Sequence, residues 1–215
     1  MGGSDLRAFM IIGSAAQMCA HATLVFATQG IGRELAMGTM VLLIATPARP
    51  LVVMLGRSLA MAGNGLVTAA IGLAVALPVL GMDLDAWRLL AAIPVLFVIA
   101  LTSYGIAMLL ASVMLRYPEY QNAASNFVGF VLIVLGGVTV PVEVLPGPVQ
   151  VISYAIPFTH ALGALRAVLA GAEPSQVIQP LAIAVTGGAV YFALASLSFR
   201  HFLDRARGRG TLDFH

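Results

Sequence analysis

Residues 30–57 read GIGRELAMGTMVLLIATPARPLVVMLGR and lie between two long apolar runs. The charged residues of this segment are Arg33, Glu34, Arg49 and Arg57. Its middle, residues 35–46, has helical character but is too short to cross a bilayer, which takes about 20 apolar residues. A short amphipathic stretch between two spans is typical of a helix that lies at the membrane surface. Such a helix serves as a lid, an anchor or a docking surface for a soluble partner.

The composition indicates a polytopic membrane protein. Of the 215 residues, 60% are hydrophobic and only 9% are charged, whereas soluble domains have about 45–50% apolar and about 25% charged residues. This length accommodates about five spans of about 20 residues each, with their loops. The net charge of +2 is too small to indicate nucleic-acid binding. The single cysteine, Cys19, lies in an apolar run, so neither a disulfide framework nor a cysteine-based metal site is expected.

Five apolar runs predict an all-α transmembrane bundle that forms a single domain, residues 1–215. The runs are residues 9–28, 59–80, 89–113, 122–140 and 177–199. Gly63, Asn64 and Gly65 are expected to break the second run near its start. A basic tail, residues 200–215, follows the last run and is expected to fray.

The distribution of arginine predicts the topology. If the five spans alternate in direction, one side of the membrane receives eight arginines and the other side three. The larger group is Arg33, Arg49, Arg57, Arg116, Arg200, Arg205, Arg207 and Arg209, and the smaller group is Arg7, Arg88 and Arg166. The positive-inside rule places the larger group in the cytoplasm, together with segment 30–57 and the tail. The N-terminus would then lie outside without a secretory signal. This arrangement predicts that a first span is missing, through a truncated start or through loss of the span.

Residues 141–173 predict a helical hairpin on the outer side. The prolines that exclude one continuous helix are Pro141, Pro146, Pro148 and Pro157. Residues 149–156 and 159–169 each suit a short helix, so a re-entrant or interfacial pair joined at a proline is expected. Irregular backbone at membrane depth needs protein or water around it, which places the hairpin at the mouth of a pathway or at a subunit interface. An outer polar cluster is one hypothesis for Glu143, His160 and Arg166, and a purely structural hairpin is the alternative.

Few polar side chains lie inside the runs. Gln17 and His21 lie one helical turn apart on the same face. A buried polar pair in a membrane is a candidate for a transport pathway, and an interhelical hydrogen bond that fixes packing is the alternative. Helix packing or capping is the preferred interpretation of Asn64, Asn122, Asn126, Gly129, Gly136 and Gly137. No acidic residue lies in the middle of a run, which argues against a proton-coupled carrier, and the common hydrolase, P-loop and CxxC signatures are absent from the sequence.

Two segments match sequence patterns of a known family. The first pattern, E-x-x-x-G-T-L-E-x-L-L-x-T-P with a later G-K/R, is matched by Glu34, Gly38, Thr39, Leu42, Leu43, Thr46, Pro47, Gly56 and Arg57. The second pattern, G-x-x-x-P-x-E-x-L-P, then P-F/L-T-H, then a late Arg and Gly, is matched by Gly137, Pro141, Glu143, Leu145, Pro146, Pro157, Thr159, His160, Arg166 and Gly171. Together they resemble the membrane subunit of a type 2 ABC exporter over nearly the whole chain. Val41 departs from the pattern, which has Glu at that position.

The resemblance implies a six-span permease that works as a dimer, homomeric or heteromeric, with two ATPase subunits. ATP and Mg would be bound by the partner ATPase, and this chain would bind no cofactor and no metal. Segment 30–57 would be the helix that couples the two proteins. Its Arg33, Arg49 and Arg57 would meet acidic residues of the ATPase, and Leu42 and Leu43 would fill a groove there. Anchoring of these arginines to anionic lipid headgroups is the alternative.

The implied function is export of a drug-like or amphipathic lipid-like substrate across a bacterial-type plasma membrane. The chain itself would not be an enzyme. A permease of the same fold for polysaccharide or lipid-linked glycan is one alternative. A stand-alone carrier or membrane scaffold that needs no ATPase is the other.

Overall fold

The structure, a computed structural model, describes residues 3–36, 50–79, 85–114 and 117–209. Within these ranges the chain forms seven α-helices and no strand, so this part has the predicted all-α architecture. In chain order the helices are α1 (Gly3–Ala36), α2 (Pro50–Val79), α3 (Ala86–Met114), α4 (Gln121–Leu135), α5 (Gly147–Ala155), α6 (Pro157–Ala170) and α7 (Pro174–Arg209). Short 3₁₀ turns, Pro118–Tyr120 and Val142–Val144, precede α4 and α5.

The long helices run between two ends of the molecule. At one end, which we call the hairpin end, α6 lies beside the start of α1, where the side chain of Arg166 approaches the carbonyl oxygen of Phe9. At the opposite end, the Gln29 side chain of α1 contacts the Asn122 side chain of α4. Thus α1, α3 and α7 start at the hairpin end, whereas α4 runs in the reverse direction.

The helix α3 lies at the centre of the bundle and packs against α1, α2, α6 and α7. Small residues bring the neighbouring helices close to it. A Cβ atom added at Gly188 of α7 would lie 2.7 Å from the Thr102 methyl carbon of α3, and Gly105 faces the backbone of α7 in the same way. Where lipid offers no hydrophobic drive for association, close van der Waals packing through small residues holds helices together.

Three helices contain a stretch long and apolar enough to cross a membrane. These stretches are Leu6–Gly30 in α1, Ala86–Met114 in α3 and Pro174–Ser198 in α7. The pair α5 and α6, bent by 85°, makes a fourth span if it is counted as one. The 15 residues of α4 reach only about 22 Å, less than the hydrocarbon layer of about 30 Å. The chain is therefore a multi-pass membrane protein with three to four candidate spans among the described residues, where the sequence predicts five.

The first and last helices extend beyond their apolar runs. Because α1 continues to Ala36 and α2 begins at Pro50, both ends of segment 30–57 belong to long helices and not to a separate surface element. Residues 31–36 include Arg, Glu, Leu and Ala, which favour helix, and proline is well suited to the first helical position. At the other terminus α7 continues to Arg209. The expectation that the tail frays from residue 200 was therefore wrong for residues 200–209.

The expectation that glycines break the second run was also wrong. Helix α2 passes through Gly63, Asn64 and Gly65 without interruption. A Cβ atom at Gly65 would lie 2.6 Å from the hydroxyl oxygen of Thr23 in α1. This glycine therefore serves close helix packing, which in a membrane outweighs its weak helix propensity.

The fourth run differs at its end, because α4 stops at Leu135 and not at Val140. Gly137 adopts a φ of +78°, a left-handed conformation that turns the chain away and that glycine adopts without steric cost. Apolarity alone extended the predicted span over residues 136–140, whereas the backbone conformation ends it.

The close approach of α1 and α2 predicts different effects for two neighbouring glycines. Gly65→Ala is expected to lower the free energy of unfolding in detergent micelles by about 1–3 kcal/mol, since the new methyl group overpacks the contact with Thr23. Gly63→Ala is the matched control, because a Cβ atom there has no neighbour within 4 Å. Equal melting temperatures of the two variants, measured in the same detergent, would contradict this account of the interface.

Candidate functional site

Three hydrogen bonds cross the interface between α1 and α4. They join the Gln17 side-chain nitrogen to the Gly129 carbonyl oxygen (3.0 Å), the Thr28 and Ser125 hydroxyls (2.7 Å), and the Gln29 side-chain nitrogen to the Asn122 side-chain oxygen (2.7 Å). This interface, which we call the polar seam, thus differs from the glycine contacts that α3 makes with α7. It extends from the middle of α1 to its end opposite the hairpin.

Gln17 and His21 lie side by side where the polar seam meets the middle of α4. Because a carbonyl oxygen only accepts, the Gln17 side chain must direct its nitrogen to Gly129. Its own oxygen then lies buried without a hydrogen-bond partner in the described part of the chain. A Cβ atom at Gly129 would lie 2.6 Å from Nδ1 of His21, so the missing side chain makes room for the imidazole ring.

A groove of about 280 Å³ opens beside these residues. Its lining combines amide and imidazole groups with apolar side chains and carries no carboxylate, ammonium or guanidinium group. The lining residues are Gln17, Met18, His21, Asn126, Gly129, Phe130 and Ile133. All seven belong to α1 and α4, so the relative position of these two helices sets the width of the groove.

The outer face of α4 is apolar except at Asn122 and Asn126. Phe127 and Phe130 are 69% and 67% exposed on this face, and the side chain of Asn126 is exposed beside them. An amide group that faces lipid leaves its hydrogen-bonding capacity unused, so polar side chains in membranes face protein or water. This face of α4 therefore has the chemistry of a pathway or of a protein contact.

The hairpin bends at Pro157, between α5 and α6. Proline has no N–H group and cannot continue the hydrogen-bond ladder of α5. The imidazole Nε2 of His160 lies 2.8 Å from the carbonyl oxygen of Tyr154 across the bend. Since that oxygen only accepts, His160 carries its hydrogen on Nε2 in this contact. The two helices predicted on either side of a proline are thus present, and a side chain of the second satisfies a carbonyl of the first.

Arg166 of α6 reaches the turn that follows α4. Its Nη2 donates to the carbonyl oxygens of Gly137 at 2.8 Å and Val138 at 3.1 Å, and it lies 3.4 Å from that of Phe9. The guanidinium carbon lies 3.4 Å from the centre of the Phe9 ring. One side chain therefore joins the hairpin, the end of α4 and the start of α1.

A second arginine binds the C-terminal end of α6. Arg88 of α3 lies 3.2 Å from the Asp85 carboxylate, and its Nη1 donates to the carbonyl oxygen of Leu169 at 3.4 Å. Gly171, with a φ of +73°, lies under the guanidinium group, where a Cβ atom would come within 2.9 Å of its carbon. A cation at a helix C-terminus is favourable because the last carbonyl groups there lack backbone partners.

Residues 2–170 of the chain match the sequence profile of the ABC-2 type transporter membrane domain. The chain belongs to the ABC-2 type transporter family. No protein in the curated set matches it significantly. An ABC-2 membrane domain is the membrane component of a transporter and is not itself catalytic, and the family typically works with an ABC ATPase. The groove and the helices α5 and α6 lie within the matched residues.

The ABC-2 membrane domain does not form the expected outer polar cluster by direct contact. His160 and Arg166 bind backbone carbonyl groups. The exposed Glu143 makes no hydrogen bond or ion pair with either of them among the described residues, but its carboxylate attracts Arg166 electrostatically. The remaining hairpin residues of the motif shape turns and helix ends. Pro141, Leu145 and Pro146 flank the 3₁₀ turn and the start of α5, whereas Pro157, the buried Thr159 and Gly171 lie in or directly after α6.

Most of the predicted coupling residues are not placed by the structure. Arg33 and Glu34 lie in the last turns of α1, and Arg57 lies in the second turn of α2, by backbone alone. The residues that lie outside the described residues are Gly38, Thr39, Leu42, Leu43, Thr46, Pro47 and Arg49. In the described ranges, no group of three or more histidine, cysteine, aspartate and glutamate side chains could hold a metal ion.

Sequence reasoning paired Gln17 with His21 but missed their partners in α4. Asn126, Gly129 and Ile133 follow one another at spacings of three and four residues, which places them on one helix face. That spacing marks the face but not the helix that covers it. Asn126 was interpreted through packing or capping alone, although its exposure among aromatic side chains fits a pathway as well.

The polar seam predicts a measurable coupling between two hydroxyl groups. In a double-mutant cycle of Thr28→Val and Ser125→Ala, we expect a coupling free energy of about 0.5–1.5 kcal/mol, the range of hydrogen bonds between membrane helices. Unfolding in mixed detergent micelles measures it. Thr186→Val replaces Thr28→Val in the control cycle, because Thr186 bonds only within α7. A coupling near zero in both cycles would show that the 2.7 Å contact does not hold the seam.

Proposed function

We propose that this ABC-2 membrane domain is the permease subunit of an ATP-driven exporter for a drug-like or amphipathic lipid-like substrate. Two permease copies work with a separate ATPase that binds ATP and Mg. The assembly lies in a plasma membrane of bacterial type, with segment 30–57 and the C-terminus in the cytoplasm. The hairpin, residues 141–173, is re-entrant and faces outward.

The groove between α1 and α4 supports this proposal most directly. Its Met18, Phe130 and Ile133 side chains suit an apolar body, and Gln17, His21 and Asn126 offer a few hydrogen bonds. Ligand pockets commonly have this mixture of apolar walls and few polar groups. A groove without charged side chains suits an uncharged or weakly polar portion of a substrate.

The size and exposure of the groove support a dimer. A volume of about 280 Å³ is at the lower limit for a drug-sized molecule, for which pockets of roughly 300–1,000 Å³ are common. The groove and the aromatic face of α4 are open to the surroundings of the chain. A second copy that faces the first across these surfaces would enclose a larger chamber and would cover the exposed amide of Asn126.

The continuity of α1 supports coupling to an ATPase. The 34 residues of this helix form a rod of about 51 Å that leads from the hairpin end to segment 30–57. Its middle carries Gln17 and His21. A displacement of segment 30–57 by a docked ATPase would therefore move one wall of the groove directly.

The chemistry of the groove separates the alternatives. Glycan binding would favour stacked aromatic rings, whereas Phe130 is the one phenylalanine, tyrosine or tryptophan among the seven lining residues. A stand-alone, proton-coupled carrier would need an ionisable carboxylate beside the pathway, and the seven lining residues include none. Both comparisons favour a small amphipathic substrate moved at the expense of ATP.

The groove predicts a change in substrate affinity for Asn126→Leu. Loss of one hydrogen bond to the substrate is expected to raise the KM for substrate-stimulated ATP hydrolysis about 2–10-fold. The measurement uses the permease and its ATPase in proteoliposomes, with a panel of amphipathic compounds and a lipid-linked glycan. Thr186→Leu is the matched control, because it replaces an exposed polar side chain of α7 away from the groove. An equal KM in both variants would count against the groove, and stimulation by the glycan alone would overturn the proposed substrate class.

Segment 30–57 predicts loss of the ATPase from variants at Glu34 and Gly38. Glu34→Ala and Gly38→Leu are expected to reduce both co-purification of the ATPase and its stimulated turnover, because each alters the proposed docking surface. The ATPase is the one encoded beside this chain, and its absence from the genome would itself favour the stand-alone alternatives. Glu173→Ala, at the far end of the molecule, serves as the control. Wild-type retention and turnover in both variants would exclude docking at this segment.

A further inference from the structure

We propose that Arg166 is a positioning residue that fastens the start of α1 to the turn after α4 and so keeps the hairpin end of the groove closed. The inference rests on the proposed role of the groove as a pathway. It assigns to one guanidinium group the control of access from the side of the hairpin.

The contacts of Arg166 select these two helices. The two short hydrogen bonds of Nη2, at 2.8 and 3.1 Å, go to successive carbonyl oxygens, those of Gly137 and Val138. An NH₂ group has two hydrogens, so the third contact, at 3.4 Å to Phe9, is the weakest. The ring of Phe9 lies against the guanidinium group instead. The side chain therefore holds α4 by hydrogen bonds and α1 mainly by stacking.

The backbone around Arg166 is shaped for this contact. The left-handed conformation of Gly137 belongs to the turn that presents its carbonyl group and that of Val138 to the arginine. Gly13 of α1 faces the same place, where an added Cβ atom would collide with the carbonyl oxygen of Val138 and lie 3.0 Å from Nη2 of Arg166. Two glycines on different elements thus allow the helix, the turn and the arginine to meet.

The position of this junction links it to the groove. Gly13 lies about one helical turn before Gln17 on α1, and Gly137 follows α4 four residues after the groove residue Ile133. The arginine therefore joins the two groove helices just beyond the end of the groove. If this contact opens, the walls are free to separate at the hairpin end while the polar seam still holds them at the other end.

The partners of Arg166 suit a contact that opens and closes. Its acceptors are neutral carbonyl groups. The carboxylate of the exposed Glu143 attracts it electrostatically, but among the described residues no carboxylate forms a direct ion pair with it. Breaking a buried ion pair leaves an uncompensated charge. By contrast, this partly buried guanidinium can exchange its carbonyl acceptors for water or lipid phosphate once it reaches the surface. The junction is thus held firmly by several contacts, none of which requires another charged group to remain paired.

Arg88 of α3 provides a matched control, because it contacts the same hairpin. Like Arg166, it donates to a carbonyl group of a helix end and lies beside an aromatic ring, that of Trp87. Its polar partners are Asp85, three residues earlier in the sequence, and the carbonyl group of Leu169 in α6, and neither belongs to α1 or α4. General loosening of the hairpin should therefore follow from Arg88→Gln as well, whereas opening of the groove should not.

The experiment measures access to a single cysteine in the groove. Cys19 is the only cysteine of the sequence, so Cys19→Ala with Met18→Cys places one thiol in the lining. A membrane-impermeant maleimide is applied to intact cells and to inverted membrane vesicles. Arg166→Gln is expected to accelerate labelling about tenfold, on the side that carries the hairpin only, because hydrogen bonds from a charged donor contribute enough to shift a two-state equilibrium by roughly that factor. Arg166→Lys should give an intermediate rate, since lysine keeps the charge but not the planar stacking group.

The outcomes separate this inference from the proposed function. Labelling unchanged by Arg166→Gln, raised on both sides, or raised equally by Arg88→Gln would overturn the fastening role. Labelling needs neither ATP nor substrate, so an unchanged rate refutes the inference even if the chain exports. If the unaltered chain and its ATPase do not transport substrate while Arg166→Gln raises labelling as expected, the proposed function alone is refuted. If Arg166→Gln does not fold, Gly13→Ala tests the same junction with the arginine intact, and it too is expected to raise labelling on the hairpin side.

Discussion

A helix that ends before it has crossed a bilayer leaves backbone carbonyl groups that need partners from protein, because the hydrocarbon layer supplies none. Helix α4 is such a helix, and in the turn that follows it the guanidinium group of Arg166 donates to the carbonyl oxygens of Gly137 and Val138. This interaction also fixes where the chain goes next. The turn after α4 and the first helix of the bundle meet at the arginine, and the bent pair α5 and α6 carries it. The geometry of the hairpin end thus depends on satisfying a few carbonyl groups.

The rest of the bundle is held by two kinds of interface with different mechanical properties. The contacts of α3 with α7 and of α2 with α1 rely mainly on glycines, at Gly188 and Gly65, that bring backbones close together. One hydrogen bond, between Ser112 and Ser198, adds to the contact of α3 with α7. Such interfaces lose their packing when the helices slide even slightly. The polar seam relies on hydrogen bonds such as that between Thr28 and Ser125, and water can replace these. We therefore expect α1, α2, α3 and α7 to move as one body, with α4 as the helix that separates from it.

The sequence predicted the features that depend on local chemistry. Its predictions failed where packing against a neighbouring helix determines the structure. Composition predicted membrane helices, and Pro157 predicted the bend between α5 and α6, because a missing N–H group breaks a helix in any surroundings. Gly65 was misjudged because its low helix propensity is a local property, whereas its contact with α1 is not. The shared face of Gln17 and His21 follows from helical periodicity, but their contact with Gly129 depends on the rotation of α4 about its axis. No pattern within one helix specifies that rotation, so the sequence predicted only the side of the groove that α1 contributes.

The same helix therefore connects every part of the proposed mechanism. Helix α1 starts beside Arg166 at the hairpin, contributes Gln17 and His21 to the groove, and extends into segment 30–57. A long helix packed on one side against α2 and α3 bends little, so a push at one end must appear either as a shift of its whole length or as a rotation about the contacts that resist. The glycine contact at Gly65 resists near the middle of the helix. If α1, α2, α3 and α7 move as one body, that body turns relative to α4, and a displacement at segment 30–57 loads the junction at Arg166 without any change in the interior of α1.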